Sequence, residues 1–441
     1  MPTIYRLIHA GIISFFLSLF LSCSIAHSIE DYDQKAFFAC PSSQSDTDMT
    51  EKPNQSDSFR KSSADFIHEL SEKHHFDKNE LVCLFDQIEP NPTTIRLVTP
   101  ASTQKPKNWQ AYRQRMIEPT RISAGLRFWN QYETYLDWAE KKFGVPPHII
   151  VGILGIESVY GNHTGNFRTI DTLATLAFDY PETANQSVRK AFFRGELENL
   201  LLLSRENGTN PMNFYGSYAG AIGYPQFMPG SIRRYALDFD GDGKIDLENS
   251  AIDAIGSIAN FLLQHGWNEK QPIVLPVRKT PDCTMNETLL NQGLEARFTP
   301  AQLKKECIVP DTNIPDGILY GLIDLPNGFA DTEYWIGSDN FFAITHYNRS
   351  YFYAMSVILL GEEILRKKDT VFNINRRNNK LKACRLPVIQ IKVADDIGLT
   401  VSVTDQQFSG KVVVGIRDRH LSVKFFRQLQ IMVHSNSFLT V

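Results

Sequence analysis

Along most of the chain apolar residues recur near the period of a helical turn. Between residues 65 and 85 they are Phe66, Ile67, Leu70, Leu81, Leu84 and Phe85, and between 120 and 143 they are Ile122, Leu126, Phe128, Trp129, Tyr132, Leu136 and Ala139. That spacing predicts amphipathic helices. Gly144-Val-Pro-Pro147 then interrupts the pattern, because glycine suits a helix end and proline a first turn. The same reasoning predicts helices over 169–178, 187–206, 228–237, 251–265 and 351–366. From about 271 to 344 short apolar groups separated by Pro, Gly and Asn predict a small β-containing insertion, after which Phe341-Phe-Ala-Ile-Thr-His-Tyr-Asn348 returns to the main body. Alternation in Val388-Ile-Gln-Ile-Lys-Val393, Leu399-Thr-Val-Ser-Val403 and Val412-Val-Val-Gly-Ile416 predicts strands. The fold class expected is therefore mainly α, within α+β.

The ends of the chain follow different rules. Arg6 precedes the apolar run 7–22, which has the layout of an export signal and is short for a spanning helix. Ala26-His27-Ser28 offers a signal-peptidase site, so that 1–28 is the signal, while Phe20-Leu-Ser-Cys23 offers an imperfect lipoprotein box that would acylate Cys23. A periplasmic chain is expected, with an outer-membrane lipoprotein as the alternative. Residues 29–64, rich in Ser, Asp, Gln and Lys, read as a linker. The expected division continues with a helical region over 65–143, a catalytic core over 144–368 and an extension over 369–441. That extension carries 11 Lys and Arg against 5 Asp, net +6, whereas the whole chain of 441 residues carries −4 and makes no electrostatic case for nucleic acid. Cys40, Cys83, Cys283, Cys307 and Cys384 fit no zinc spacing, and in an oxidising compartment proximity favours Cys40 with Cys83 and Cys283 with Cys307.

Three motifs carry chemistry. Pro146-Pro-His-Ile-Ile-Val-Gly-Ile-Leu-Gly-Ile-Glu-Ser-Val-Tyr-Gly161 sets the single acid Glu157 at the end of a helix that is apolar nearly all round, and such surroundings raise a carboxyl pKa towards that of a general acid. Gly216-Ser-Tyr-Ala-Gly-Ala-Ile-Gly-Tyr-Pro-Gln-Phe-Met-Pro229 is a glycine-lined polar and aromatic strip of the kind that holds sugars, with hydroxyl and amide groups for hydrogen bonds and a ring for stacking. Asp238-Phe-Asp-Gly-Asp-Gly-Lys-Ile-Asp246 reproduces positions one, three, five, six, seven and nine of an EF-hand loop, with Asp238, Asp240, Asp242 and the Lys244 carbonyl as ligands and Asn249 at position twelve. Ordinary glycosidases need two carboxylates. Glu196 and Glu198 are the nearest candidates, but their helical pattern assigns them packing or surface roles.

These motifs resemble the membrane-bound lytic transglycosylase B family from about residue 66 to 365, most densely between 144 and 267. The resemblance implies a lysozyme-like core acting on peptidoglycan glycan strands. Glu157 would protonate the leaving oxygen and then deprotonate the muramoyl C6 hydroxyl, giving a 1,6-anhydro end without water. It further implies substrate-binding roles for Tyr112, Ser217, Gln226, Phe227, Tyr347, Asn348 and Tyr353, and closure of a structural calcium site by Asp253. Phe192 and Phe261 stand where family members can carry tyrosine, so no hydrogen-bonding role passes to them. A hydrolytic muramidase and a noncatalytic peptidoglycan-binding scaffold are the rival readings. Cell-wall synthesis or remodelling proteins are the expected protein partners, and membrane attachment would require lipidated Cys23.

Overall fold

The computed structural model describes residues 55–100, 106–279, 289–290, 293–383, 388–394, 398–404 and 409–414, with side chains up to 370 except at 279. The expected export signal, Cys23, Cys40, Cys283 and Cys384 lie outside the described residues. Cys83 and Cys307 are each disulfide-bonded, and their pairing with Cys40 and Cys283 remains a proposal.

Two compact units divide the chain, Met1–Ile364 and Leu365–Val441. In the first, helices begin earlier than the linker reading allowed: Asp57–His74 starts with Ser56 accepting the Phe59 amide, and Phe59 is buried. A serine cap followed by a core aromatic overrides the polar composition of that stretch. The periodic run expected over 65–85 is two helices, Asp57–His74 and Lys78–Asp86, because His75 takes a left-handed conformation and Asp77 caps the second. Phe59, Phe66 and Phe85 of this pair close on Phe178, with ring centroids 5.1 to 6.4 Å from it.

Pro119–Phe143 ends at Gly144 in the left-handed region and Pro147–Ser158 begins at once, as the Gly-Val-Pro-Pro sequence predicts. The latter helix is buried along most of its length and runs against the first half of Tyr351–Ala383. Their backbones approach so closely that a Cβ on Gly152 would lie 2.3 Å from the Val357 carbonyl oxygen, and one on Gly361 2.1 Å from that of His148. Gly152→Ala is therefore expected to cost about 1–3 kcal/mol by forcing the helices apart, read as a lower urea midpoint at unchanged slope.

The insertion is a four-stranded antiparallel sheet ordered Ile308–Pro310, Val274–Lys279, Ala330–Gly337, Gly321–Asn327. It covers its own core of Leu289, Leu303, Ile308, Tyr320, Leu322 and Ile336. It ends at Gly337, before the expected 344, because Ser338 caps a new helix, Asp339–Tyr347. In the second unit the helix that starts at Tyr351 continues to Ala383, past the boundary expected at 368. Val388–Ala394, Gly398–Thr404 and Ser409–Val414 then form a three-stranded antiparallel sheet in consecutive order. Among the described residues no helix is long and apolar enough to cross a membrane.

Candidate active site and cation loop

Glu157 sits in the last turn of Pro147–Ser158, where Val159 and Tyr160 both take positive φ and reverse the chain. Tyr160 donates its amide to the Leu154 carbonyl at 3.1 Å, satisfying an end carbonyl of the helix. Part of the glutamate reaches solvent, but burial of its carboxyl pushes the pKa up to about 7. The Tyr353 hydroxyl donates to Glu157 Oε1 at 2.6 Å and opposes that rise by stabilising the charged form. Tyr353 is 2% exposed. It was expected to bind substrate, and its hydroxyl is bonded to the acid itself.

Three tyrosines sense the Glu157 charge. Burial raises the phenol pKa of Tyr112, Tyr347 and Tyr353, and proximity to Glu157 raises each further. Tyr347 and Tyr353 stack with centroids 6.3 Å apart. Tyr112 packs beside Trp109 and Phe352 at 6.3 and 5.5 Å. Its helix, Trp109–Met116, is held by the insertion: Asn327 accepts the Gln110 amide at 2.9 Å, and the Gly328 amide donates to the Lys107 carbonyl. No sequence signal marked Asn327, because its role exists only once the sheet reaches that helix.

The glycine-lined strip is sewn to the end of the Glu157 helix. Ser158 donates to the Tyr224 carbonyl at 2.7 Å and accepts the Gly161 amide, while Tyr347 donates to the Pro225 carbonyl at 2.5 Å. Gly165, at φ +93°, lies so close to the strip that a Cβ there would be 2.1 Å from the Gly216 oxygen. Ser217 Oγ accepts the Ala219 and Ala221 amides at 3.3 and 3.1 Å. With its lone pairs engaged, the hydroxyl proton is left to donate. Gln226 Nε2 donates to the Thr164 and Gly223 carbonyls at 3.0 and 2.9 Å, which leaves its Oε1 to accept. Phe227 is 2% exposed, packed between Phe261 and Tyr347 with centroids 5.5 Å from each. It presents no free ring face here and acts as backing for Tyr347. Asn348 is exposed where Asp339–Tyr347 ends.

The two other acids weighed from sequence are committed elsewhere. Glu196 is buried and accepts the Gly230 amide at 2.7 Å, and Glu198 pairs with Lys73 and His74, each at 2.7 Å.

In the aspartate loop, ligand oxygens of Asp238, Asp240 and Asp253 lie within 4.8 Å of one another. Asp253 is 1% exposed and accepts the Phe239 amide at 2.8 Å and the Asp246 amide at 2.9 Å. Such an all-carboxylate set fits a hard cation. Asp242 instead accepts the Lys244 amide, and Asp246 accepts the amides of Glu248 and Asn249. Phe239 anchors the loop, stacked on Trp138 at 4.8 Å and touching Gly256 of the Ala251–Gln264 helix, where a Cβ would lie 2.3 Å from its ring.

The family described as Transglycosylase SLT domain matches residues 58–362. Membrane-bound lytic murein transglycosylase B of Escherichia coli K12 is 38% identical over 308 residues, covering 68% of this chain and 81% of that protein. The structure of soluble lytic transglycosylase SltB1 from Pseudomonas aeruginosa has a TM-score of 0.63 at 38% identity, over 70% of this chain and 99% of that one. Escherichia coli lytic transglycosylase Slt35 in complex with calcium gives 0.61 at 36% identity, over 70% and 93%. The mainly helical, lysozyme-like architecture is common to them.

Proposed function

Because the chain belongs to the Transglycosylase SLT domain family, we propose that it is a lytic murein transglycosylase that cuts the β-1,4 bond between N-acetylmuramic acid and N-acetylglucosamine without water. The observation that carries this reading is a single carboxyl, Glu157, with a pKa near 7 and a tyrosine hydroxyl as its hydrogen-bond partner. A group that titrates near neutrality serves as acid and as base in turn. Protonated Glu157 gives its proton to the glycosidic oxygen as the C1–O bond breaks, with the substrate's N-acetyl group steadying C1. The C6 hydroxyl then attacks C1 and returns its proton to the Glu157 carboxylate, so the acid is regenerated and the products together are isomeric with the substrate.

Ser217 suits the N-acetyl carbonyl as a donor, and Gln226 Oε1 suits a sugar hydroxyl or amide as an acceptor. Tyr112 and Tyr347 lie near enough to Glu157 to feel its charge, and exposed Asn348, next to Tyr347 in the chain, is assigned to the same cleft by this reading. Calcium, bound by Asp238, Asp240 and Asp253 with Asp242 and the Lys244 carbonyl completing the shell, would stabilise the loop against the Ala251–Gln264 helix. The calcium complex of Slt35 supports that choice of ion. Export to the periplasm follows from the N-terminal sequence and from a cell-wall substrate. Partners among wall-building or remodelling proteins fit the same location.

The Tyr353 hydrogen bond gives a pH test. It stabilises ionised Glu157, so Tyr353→Phe is expected to raise the Glu157 pKa above about 7. The acid form then persists to higher pH, and the falling limb of kcat/KM on sacculi moves upward. An unmoved limb with reduced kcat would mean that Tyr353 only packs.

A further inference from the structure

Away from the cleft, the insertion sheet opens. Val274–Lys279 pairs with Ala330–Gly337 from Val274 as far as Pro276, which lies opposite Trp335, and from Val277 onward it pairs only with Ile308–Pro310 on its other edge. The divergence leaves a groove of about 600 Å³ whose lining includes Pro276, Asp331, Thr332, Glu333 and Trp335. We propose that this groove is a second binding site, taking an uncharged N-acetylglucosamine-type unit of the glycan strand against Trp335.

Pro276 lies directly opposite Trp335 and therefore on the same face of the sheet, which makes an apolar floor. Asp331, Glu333 and the Thr332 hydroxyl supply acceptors for sugar hydroxyls. The lining contains two carboxylates and no basic side chain, so it disfavours the anionic lactyl and peptide groups of muramoyl units and leaves the neutral sugar as the part of the strand that fits. A volume of about 600 Å³ is of the size that holds several sugar atoms' worth of ligand rather than a lone ion.

The groove is also joined to the cleft wall. Glu333 accepts from Asn327 Nδ2 at 3.2 Å, and Asn327 Oδ1 accepts the amide of Gln110 in the helix that carries Tyr112. A strand held at both places gains by linkage what neither contact supplies alone. The inference rests on the reading of glycan strands as substrate, and its test separates the two.

The test is an indole NMR titration of the full chain with β-1,4-linked N-acetylglucosamine tetramer, the Trp335 signal being assigned with Trp335→Phe. The tetramer is expected to shift that signal, and to do so still in Tyr112→Ala, which impairs the cleft. Trp335→Ala, or Asp331→Ala at an exposed position should folding suffer, is expected to weaken sacculus binding and lower kcat/KM on sacculi roughly 2- to 10-fold. Turnover of a two-disaccharide fragment should be unchanged. A Trp335 signal that ignores the tetramer, follows it only through an intact Tyr112, or answers tetralysine instead would overturn the site. Tetramer binding at Trp335 in a chain that never cleaves sacculi would keep the groove and remove the enzymatic reading.

Discussion

Glu157→Gln is expected to lower release of 1,6-anhydromuropeptides from sacculi by on the order of 10³-fold or more, with glycan binding nearly intact. The amide keeps the shape of the side chain and can still accept from the Tyr353 hydroxyl, now 2.6 Å from Oε1, but it cannot cycle a proton. Both transfers fail together, since Glu196 and Glu198 are occupied with Gly230, Lys73 and His74. Loss of activity counts only if the variant's thermal midpoint is not lowered. It should in fact hold or rise at neutral pH. The Glu157 pKa is raised in the fold to about 7 from an unfolded value of about 4.3, so its contribution is full below the unfolded value and declines as pH climbs through 7. A neutral amide escapes that penalty.

Asp253→Ala has the second largest expected effect. It removes the acceptor of two backbone amides, those of Phe239 and Asp246, at a site only 1% exposed. Leaving both unpaired costs about 2–5 kcal/mol, seen as a thermal midpoint lower by several degrees. It also removes one of three converging carboxylates, so calcium should raise the wild-type midpoint and not that of the variant. If chelation leaves the wild-type midpoint unchanged, and Asp240→Ala melts like wild type in added calcium, the cation has no structural role.

Much of this was legible in the chain. Helical periodicity located most helices of the main body, and the Gly144-Val-Pro-Pro147 break ended one helix and began the next as proline and glycine conformations require. Glu157 was legible because a lone acid in an apolar helix is conspicuous. Other features were not. The early start at Asp57 depended on a single cap, and the split at His75 on one left-handed residue in the stretch between Leu70 and Leu81. Tyr353 as partner of Glu157 needed the close passage of two helices at Gly152 and Gly361. Asn327 needed a sheet to meet a helix 217 residues away in sequence. Phe227 was readable as an aromatic in a sugar strip, but its burial behind Tyr347 is a product of packing.

The central claim is that one glutamate cleaves the strand without water, and mass spectrometry of soluble fragments released from purified sacculi by the wild-type chain tests it most directly. Fragments ending in 1,6-anhydromuramic acid, one water lighter than reducing ends and unlabelled when the digestion is run in heavy-oxygen water, are the predicted result. Reducing muramic acid ends carrying the heavy oxygen would contradict it and establish hydrolysis.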